Sequence, residues 1–168
     1  IFEKDIKRRV KIKDVQSFEL VRNYIINNFG ATTSINSLHE ALLKNGMAIS
    51  RATVTRYIKT LVDAKILYER KRFDMKSKKT LSGEQKYYVA DLSFYYAMNT
   101  DNRINYGQTL ENIVYLYARS LDYAVSVGRI GKLECDFILR DVNMDYSYVQ
   151  VAYKIFQSKD TEDREYRG

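Results

Sequence analysis

The sequence predicts a mixed α+β chain in two parts: three helices closed by a β-hairpin, then a small αβββα module. Three observations carry this. Apolar residues recur at three- and four-residue spacing in three successive stretches between positions 15 and 64. Two runs of strand character follow at 66–73 and 85–90, and after position 109 one helical stretch precedes three further strand-like runs. Charge divides at the same place: residues 1–99 hold 19 Lys/Arg against 10 Asp/Glu, while residues 100–168 hold 9 against 11, within a net charge of +7.

Composition bounds the function classes. With 168 residues, 45% apolar and 29% charged, the chain suffices for one compact domain or two small ones. No stretch reaches the roughly 20 apolar residues a spanning helix needs, so no membrane partner is expected. A single cysteine, Cys135, excludes an internal disulfide, and with a single histidine, His39, it excludes a four-ligand zinc site. Cys135 is expected as a small buried strand residue and His39 as a partly exposed helix residue. A lone thiol fits a reducing, cytoplasmic location. The termini, Ile1-Phe2-Glu3-Lys4 and Glu165-Tyr166-Arg167-Gly168, carry neither a signal peptide nor a closing element. A piece of a longer protein is the expectation.

The elements follow in chain order. Residues 1–13 form a basic segment (DIKRRVKIK at 5–13), readable as a short helix or as an extended arm. From Val15, Phe18, Val21, Ile25 and Phe29 make one helical stripe, and Gly30 stops it. Thr32-Thr33-Ser34 offers an N-cap for a second helix with Ile35, Leu38, Leu42 and Leu43 inward, and Asn45-Gly46 ends it. Ser50 caps a third helix with Val54, Tyr57, Ile58 and Leu61 inward, closing near Ala64-Lys65. Ile66–Phe73 and Gln85–Ala90 read as strands, with the polar stretch Asp74–Glu84 as a charged loop between them. Helix, helix, helix, strand, loop, strand is the winged helix-turn-helix order, assigned to residues 14–99. A Tyr- and Asn-rich link (Phe94–Tyr106) leads to the second part, residues 100–168. There Thr109–Leu121 is a helix with Leu110, Ile113, Val114 and Tyr117 on one face; Tyr123–Val127, Leu133–Leu139 and Tyr146–Tyr153 are strands, and Ser158 caps a final helix.

In a helix-turn-helix the third helix enters the major groove with its early residues at base edges. Its outward positions here are Arg51, Thr53, Thr55, Arg56 and Lys59. Arginine bonds guanine bidentately, and threonine hydroxyls reach phosphate or base. Arg70, Lys71 and Arg72 with the loop lysines Lys76, Lys78 and Lys79 suit backbone phosphates. DNA is therefore the expected partner. Winged helices also serve as protein-interaction modules, and a protein-interaction platform without DNA binding is the competing reading.

In the second part Glu111 falls on the helix, Asp136 mid-strand and Gln150 on the next strand. Nucleases of the restriction-endonuclease-like class place acids on a helix and adjacent strands to hold Mg²⁺ or Mn²⁺, with a lysine to activate water. Here the acid-x-lysine pattern of the last strand reads Gln150-Val151-Ala152. Lys154 lies about 6–7 Å beyond Ala152 at strand rise, too far for a simple replacement, whereas Glu134 shares a strand face with Asp136.

Several stretches, in order, resemble the C-terminal region of predicted prokaryotic AAA-superfamily ATPases: DIKRRVKI, SRATVTRYIKTLVDAKIL, KYYVAD, GQTLENIVYLYA, VGRIGKLECDFIL and YVQVAYKI. The resemblance covers nearly the whole chain. It implies a winged helix followed by a restriction-endonuclease-like domain, with the ATP-binding motifs upstream, since no GxxxxGK[ST] occurs here. It implies ATP and Mg²⁺ for that upstream region, no cofactor in this segment beyond an Mg²⁺ or Mn²⁺ at the nuclease-like site, and oligomerisation through the ATPase. Residue by residue, Glu111 matches the helix acid, Asp136 the first strand acid and Gln150 the second acid's position; Asp136 and Gln150 would hold the metal. The missing lysine implies a degenerate nuclease-like domain; a divalent-metal nuclease is the alternative.

Overall fold

A computed structural model describes residues 12, 14–77, 79–98, 105–130 and 133–153. The basic segment 1–13 apart from Ile12, Lys78, Lys154 and the helix expected from Ser158 lie outside them. Among the described residues there are five helices and one mixed six-stranded sheet.

The first part begins with α1 (Val15–Asn27), capped by the Asp14 carboxylate, which accepts from the Ser17 amide. Those bonds hold the Asp14 carboxyl below its usual range, the Ser17 hydroxyl being the chief cause. Gly30 closes the turn after it at φ +75°, where only glycine is unstrained. β1 (Thr32–Thr33) is followed by α2 (Ile35–Lys44), with Ser34 and Ser37 forming a reciprocal capping box. α3 (Arg51–Asp63) starts at the expected Ser50 cap, whose hydroxyl accepts from the Thr53 amide. Phe18, Val21, Ile25, Phe29, Leu38, Leu42, Val54, Tyr57, Ile58 and Leu61 all meet in one core with Ile66, Leu67, Tyr87 and Val89. Leu43 is an exception: it is exposed, because a ten-residue helix turns only one stripe, carried by Leu38 and Leu42, to α3 and its neighbours. His39 is half-buried as expected, with Nε2 against the Ile49 carbonyl at 2.8 Å.

β2 (Leu67–Asp74) and β3 (Lys79–Val89) form the hairpin. The stretch expected as a loop over Asp74–Glu84 is mostly strand, since Thr80 pairs with Phe73 and Lys79 with Asp74. A polar ribbon has no apolar alternation, and its pairing therefore leaves no mark in the sequence. The Tyr/Asn-rich link likewise contains a short helix, α4 (Ser93–Met98), which lays Phe94, Tyr95 and Met98 on the first core.

α5 (Tyr106–Ser120) and the meander β4 (Ala124–Ile130), β5 (Leu133–Arg140) and β6 (Tyr146–Val149) complete the molecule. Strand order is β1-β3-β2-β4-β5-β6, and β4 joins β2 in parallel at Arg72–Asp74 against Val127–Arg129. One sheet thus runs through both parts, and a second core of Tyr88, Tyr115, Ala118, Val125, Val127, Phe137 and Leu139 lies between it and α5. The inward face of α5 keeps Val114 of the expected residues, packed against this core, but is rotated from the expected stripe. Ile113 and Tyr117 are exposed, and Asn112, Tyr115 and Ala118 are buried. Asn112 explains the rotation. Val89 turns its N–H and C=O away from β2, past the end of the two-residue β1, and the Asn112 amide accepts from the one (2.9 Å) and donates to the other (3.0 Å). Two buried backbone groups are satisfied this way, which an apolar side chain cannot do. The last strand is also shorter than expected and ends at Val149, leaving Gln150 outside it.

Candidate functional site

Two sets of residues carry the polar side chains singled out in the sequence. The first is the outer side of α3 with the adjoining hairpin. Arg51, Thr55, Arg56 and Lys59 are exposed, because Val54, Tyr57, Ile58 and Leu61 take the inward stripe. Thr53 is half-buried and engaged in the Ser50 cap, and the Thr55 hydroxyl donates to the Arg51 carbonyl at 3.0 Å. Between α3 and the hairpin lies a cleft of about 720 Å³. Lys59 and Asp63 stand on its helix wall, Lys71 and Glu69 on its strand wall, with Ile58 and Val62 in its floor. Lys76 is exposed at the hairpin turn. Arg70 and Arg72 point elsewhere: Arg70 lies over the Tyr115 ring, 5.3 Å from its centre, and Arg72 pairs with Glu134 at 2.5 Å. Lys79 supplies the first backbone pair of β3; its side chain, like Lys78, lies outside the described part.

The second set is a cluster on the α5 side of the sheet. Glu111 and Asp136, 25 residues apart in sequence, are brought together by Lys86 of β3. The Lys86 ammonium is 2.8 Å from Glu111 Oε1 and 3.9 Å from Asp136 Oδ1, with all three side chains less than a fifth exposed. The Tyr88 hydroxyl donates to the same Glu111 oxygen at 2.7 Å, and Val151 N–H donates to Asp136 Oδ2 at 2.9 Å. Burial, then the Glu111 and Asp136 carboxylates, push the Tyr88 phenol far above its ordinary pKa, so it stays a donor. A β-bulge aims Asp136 here. Ser126 pairs with Ile138 and Gly128 with Cys135, so Asp136 and Phe137 together face Val127 alone.

The donor set does not fit a divalent metal. A cation already sits between the two carboxylates, and no group of three His, Cys, Asp or Glu suited to a metal occurs among the described residues. Gln150 is exposed beyond β6, beside the Val151 amide that binds Asp136, and Glu134 is turned to Arg72. Cys135 is buried as expected, and burial pushes its thiol up. Lys86 and Tyr88 escaped the sequence reading because they belong to a hairpin strand; their distance in sequence from Glu111 and Asp136 hides the contact, and only alternation along KYY places both on one strand face.

The family described as "Domain of unknown function (DUF8612)" matches residues 1–105. An uncharacterized protein of Haemophilus influenzae (strain Rd) is 29% identical over 151 residues, 90% of this chain and 38% of the relative. An uncharacterized protein of Methanocaldococcus jannaschii is 27% identical over 159 residues, 92% of this chain and 35% of the relative. The chain therefore spans little more than a third of the length of these relatives. No solved structure matches the chain.

Proposed function

The chain belongs to the DUF8612 family, whose description states no activity, and from that premise we propose that it is a DNA-binding region that contacts duplex through α3 and the hairpin. The observation that carries the reading is the run of exposed cations on one helix, Arg51, Arg56 and Lys59, the last facing Lys71 across a cleft, in the half of the chain with nine excess positive charges. Three helices and a hairpin in this order support the reading as a winged helix-turn-helix, in which the third helix reads the major groove. Arg70 and Arg72, bound to Tyr115 and Glu134, drop from the contact surface in this reading.

The second half is read as a nuclease-like module in which a lysine has replaced the metal. The proximity of Glu111 and Asp136 supports this reading, and Lys86 neutralises part of their charge and ties the hairpin to α5 and β5. The length of the relatives beyond the matched region leaves room for an ATPase, to which ATP and Mg²⁺ would belong.

The test is duplex binding as a function of salt. Each phosphate neutralised contributes about 0.9 to the slope of log K against log salt. Arg51→Ala/Arg56→Ala is expected to weaken binding at least tenfold and to flatten that slope by roughly one to two. Unchanged affinity in the double variant overturns the assigned face.

A further inference from the structure

From one turn beyond Glu111 along α5, hydrogen-bond donors gather without an acceptor. Arg70 of β2 lies 5.3 Å from the centre of the Tyr115 ring, and Arg119 of α5 lies 4.5 Å from that of Tyr68; the two rings are 5.7 Å apart. Tyr115 is fully buried and its hydroxyl has no acceptor, the polar group beside it being Arg119, itself a donor; the buried Nε of Arg70 likewise has no partner. The Arg70 Nη1 donates only to the Glu69 carbonyl, at 3.0 Å. Among the described residues neither guanidinium forms a salt bridge. Buried polar atoms without partners are rare in folded proteins and ask for an explanation. Two guanidinium forks and a phenolic O–H all offer hydrogens, and the acceptor they lack in common is an oxyanion.

We propose that Arg70, Arg119 and Tyr115 form a binding site for a phosphate group, with Arg119 as the exposed and movable member through which it enters. The site holds its charge without a carboxylate because the aromatic faces carry the guanidiniums and Arg119 stands in the last turn of α5, where the helix carbonyls favour a cation. Burial raises the Tyr115 pKa, against the opposing pull of Arg70 and Arg119, so the hydroxyl remains protonated and able to donate at neutral pH. This site shares no residue with the exposed face of α3, and its test is separate from that of DNA binding.

The experiment is calorimetric titration of the protein with inorganic phosphate at constant ionic strength, repeated with a short 5′-phosphorylated single strand and the same strand unphosphorylated. Saturable phosphate binding is expected, weakened at least fivefold in Tyr115→Phe, which removes only the unpartnered hydroxyl, and at least tenfold in Arg70→Gln and Arg119→Gln. Arg51→Ala/Arg56→Ala should bind inorganic phosphate as the parent does. If the phosphorylated strand binds and competes with phosphate while its unphosphorylated twin does not compete, the phosphate comes from a nucleic-acid end. If only the free ion binds, the ligand is a small phosphate. Absence of saturable binding, or a Tyr115→Phe variant that is still folded by circular dichroism and binds phosphate undiminished, overturns the site.

Discussion

Lys86 shows how much a single residue decides here. Its ammonium is the shared partner of two carboxylates, and among the described residues Glu111 retains only the Tyr88 hydroxyl besides it, at 2.7 Å. Taking away one member of a partly buried ion pair leaves the other desolvated and uncompensated, which costs more than the pair itself contributes. Lys86→Met should therefore lower unfolding stability by about 2–3 kcal/mol, read from urea denaturation, where no added salt masks the effect. Lys86→Met/Glu111→Gln should recover about 1 kcal/mol or more of that loss. Strict additivity of the two single changes would show that the contact is not coupled.

At the scale of the element, the joint between the two parts is the short parallel pairing of β2 with β4. Gly128 sits opposite Phe73, and a Cβ added there would lie 1.8 Å from the Phe73 carbonyl oxygen. No rotamer relieves a clash with backbone. Gly128→Ala should push the strands apart and cost about 2–4 kcal/mol, within the range of other strained core substitutions. Asn112→Leu is expected to be comparably severe although it adds apolar surface, because it orphans the Val89 N–H and C=O. Thermal unfolding of both variants checks this; a melting temperature for Asn112→Leu at or above that of the parent would show that the Val89 groups find other partners.

Over the whole molecule, three buried tyrosines set the alkaline limit. Burial, above all, raises Tyr87 to about 12 and shifts Tyr88 and Tyr115 upward as well. An unfolded tyrosine ionises near pH 10, while these three stay protonated in the folded state. Their contribution to stability is thus complete below pH 10 and lost as pH rises from 10 through the folded values. The urea midpoint should be flat from pH 7 to 9 and fall steeply between pH 10 and 12, with phenolate absorbance appearing in step with unfolding. A midpoint independent of pH up to 12 would contradict the buried, neutral state of Tyr87. Because one sheet carries both cores, the fall should also be a single transition and not two.

Local chemistry alone determined the first three helices. Their caps at Asp14, Ser34 and Ser50, their stops at Gly30 and Gly46, and their inward stripes are encoded within a few residues of where they act. The sequence likewise placed Glu111 on a helix, Asp136 on a strand and the α3 cations on the outward side of their helix. Tertiary structure decided what those residues meet. It set the length of the hairpin strands, whose polar pairing has no periodic trace, and the rotation of α5, which answers to the hydrogen-bonding needs of Val89. It also brought Lys86 to two acids, through a parallel strand pairing and a bulge that join segments tens of residues apart. Periodicity reports which face of an element is apolar; it carries no information about which distant backbone groups or charges that face must satisfy.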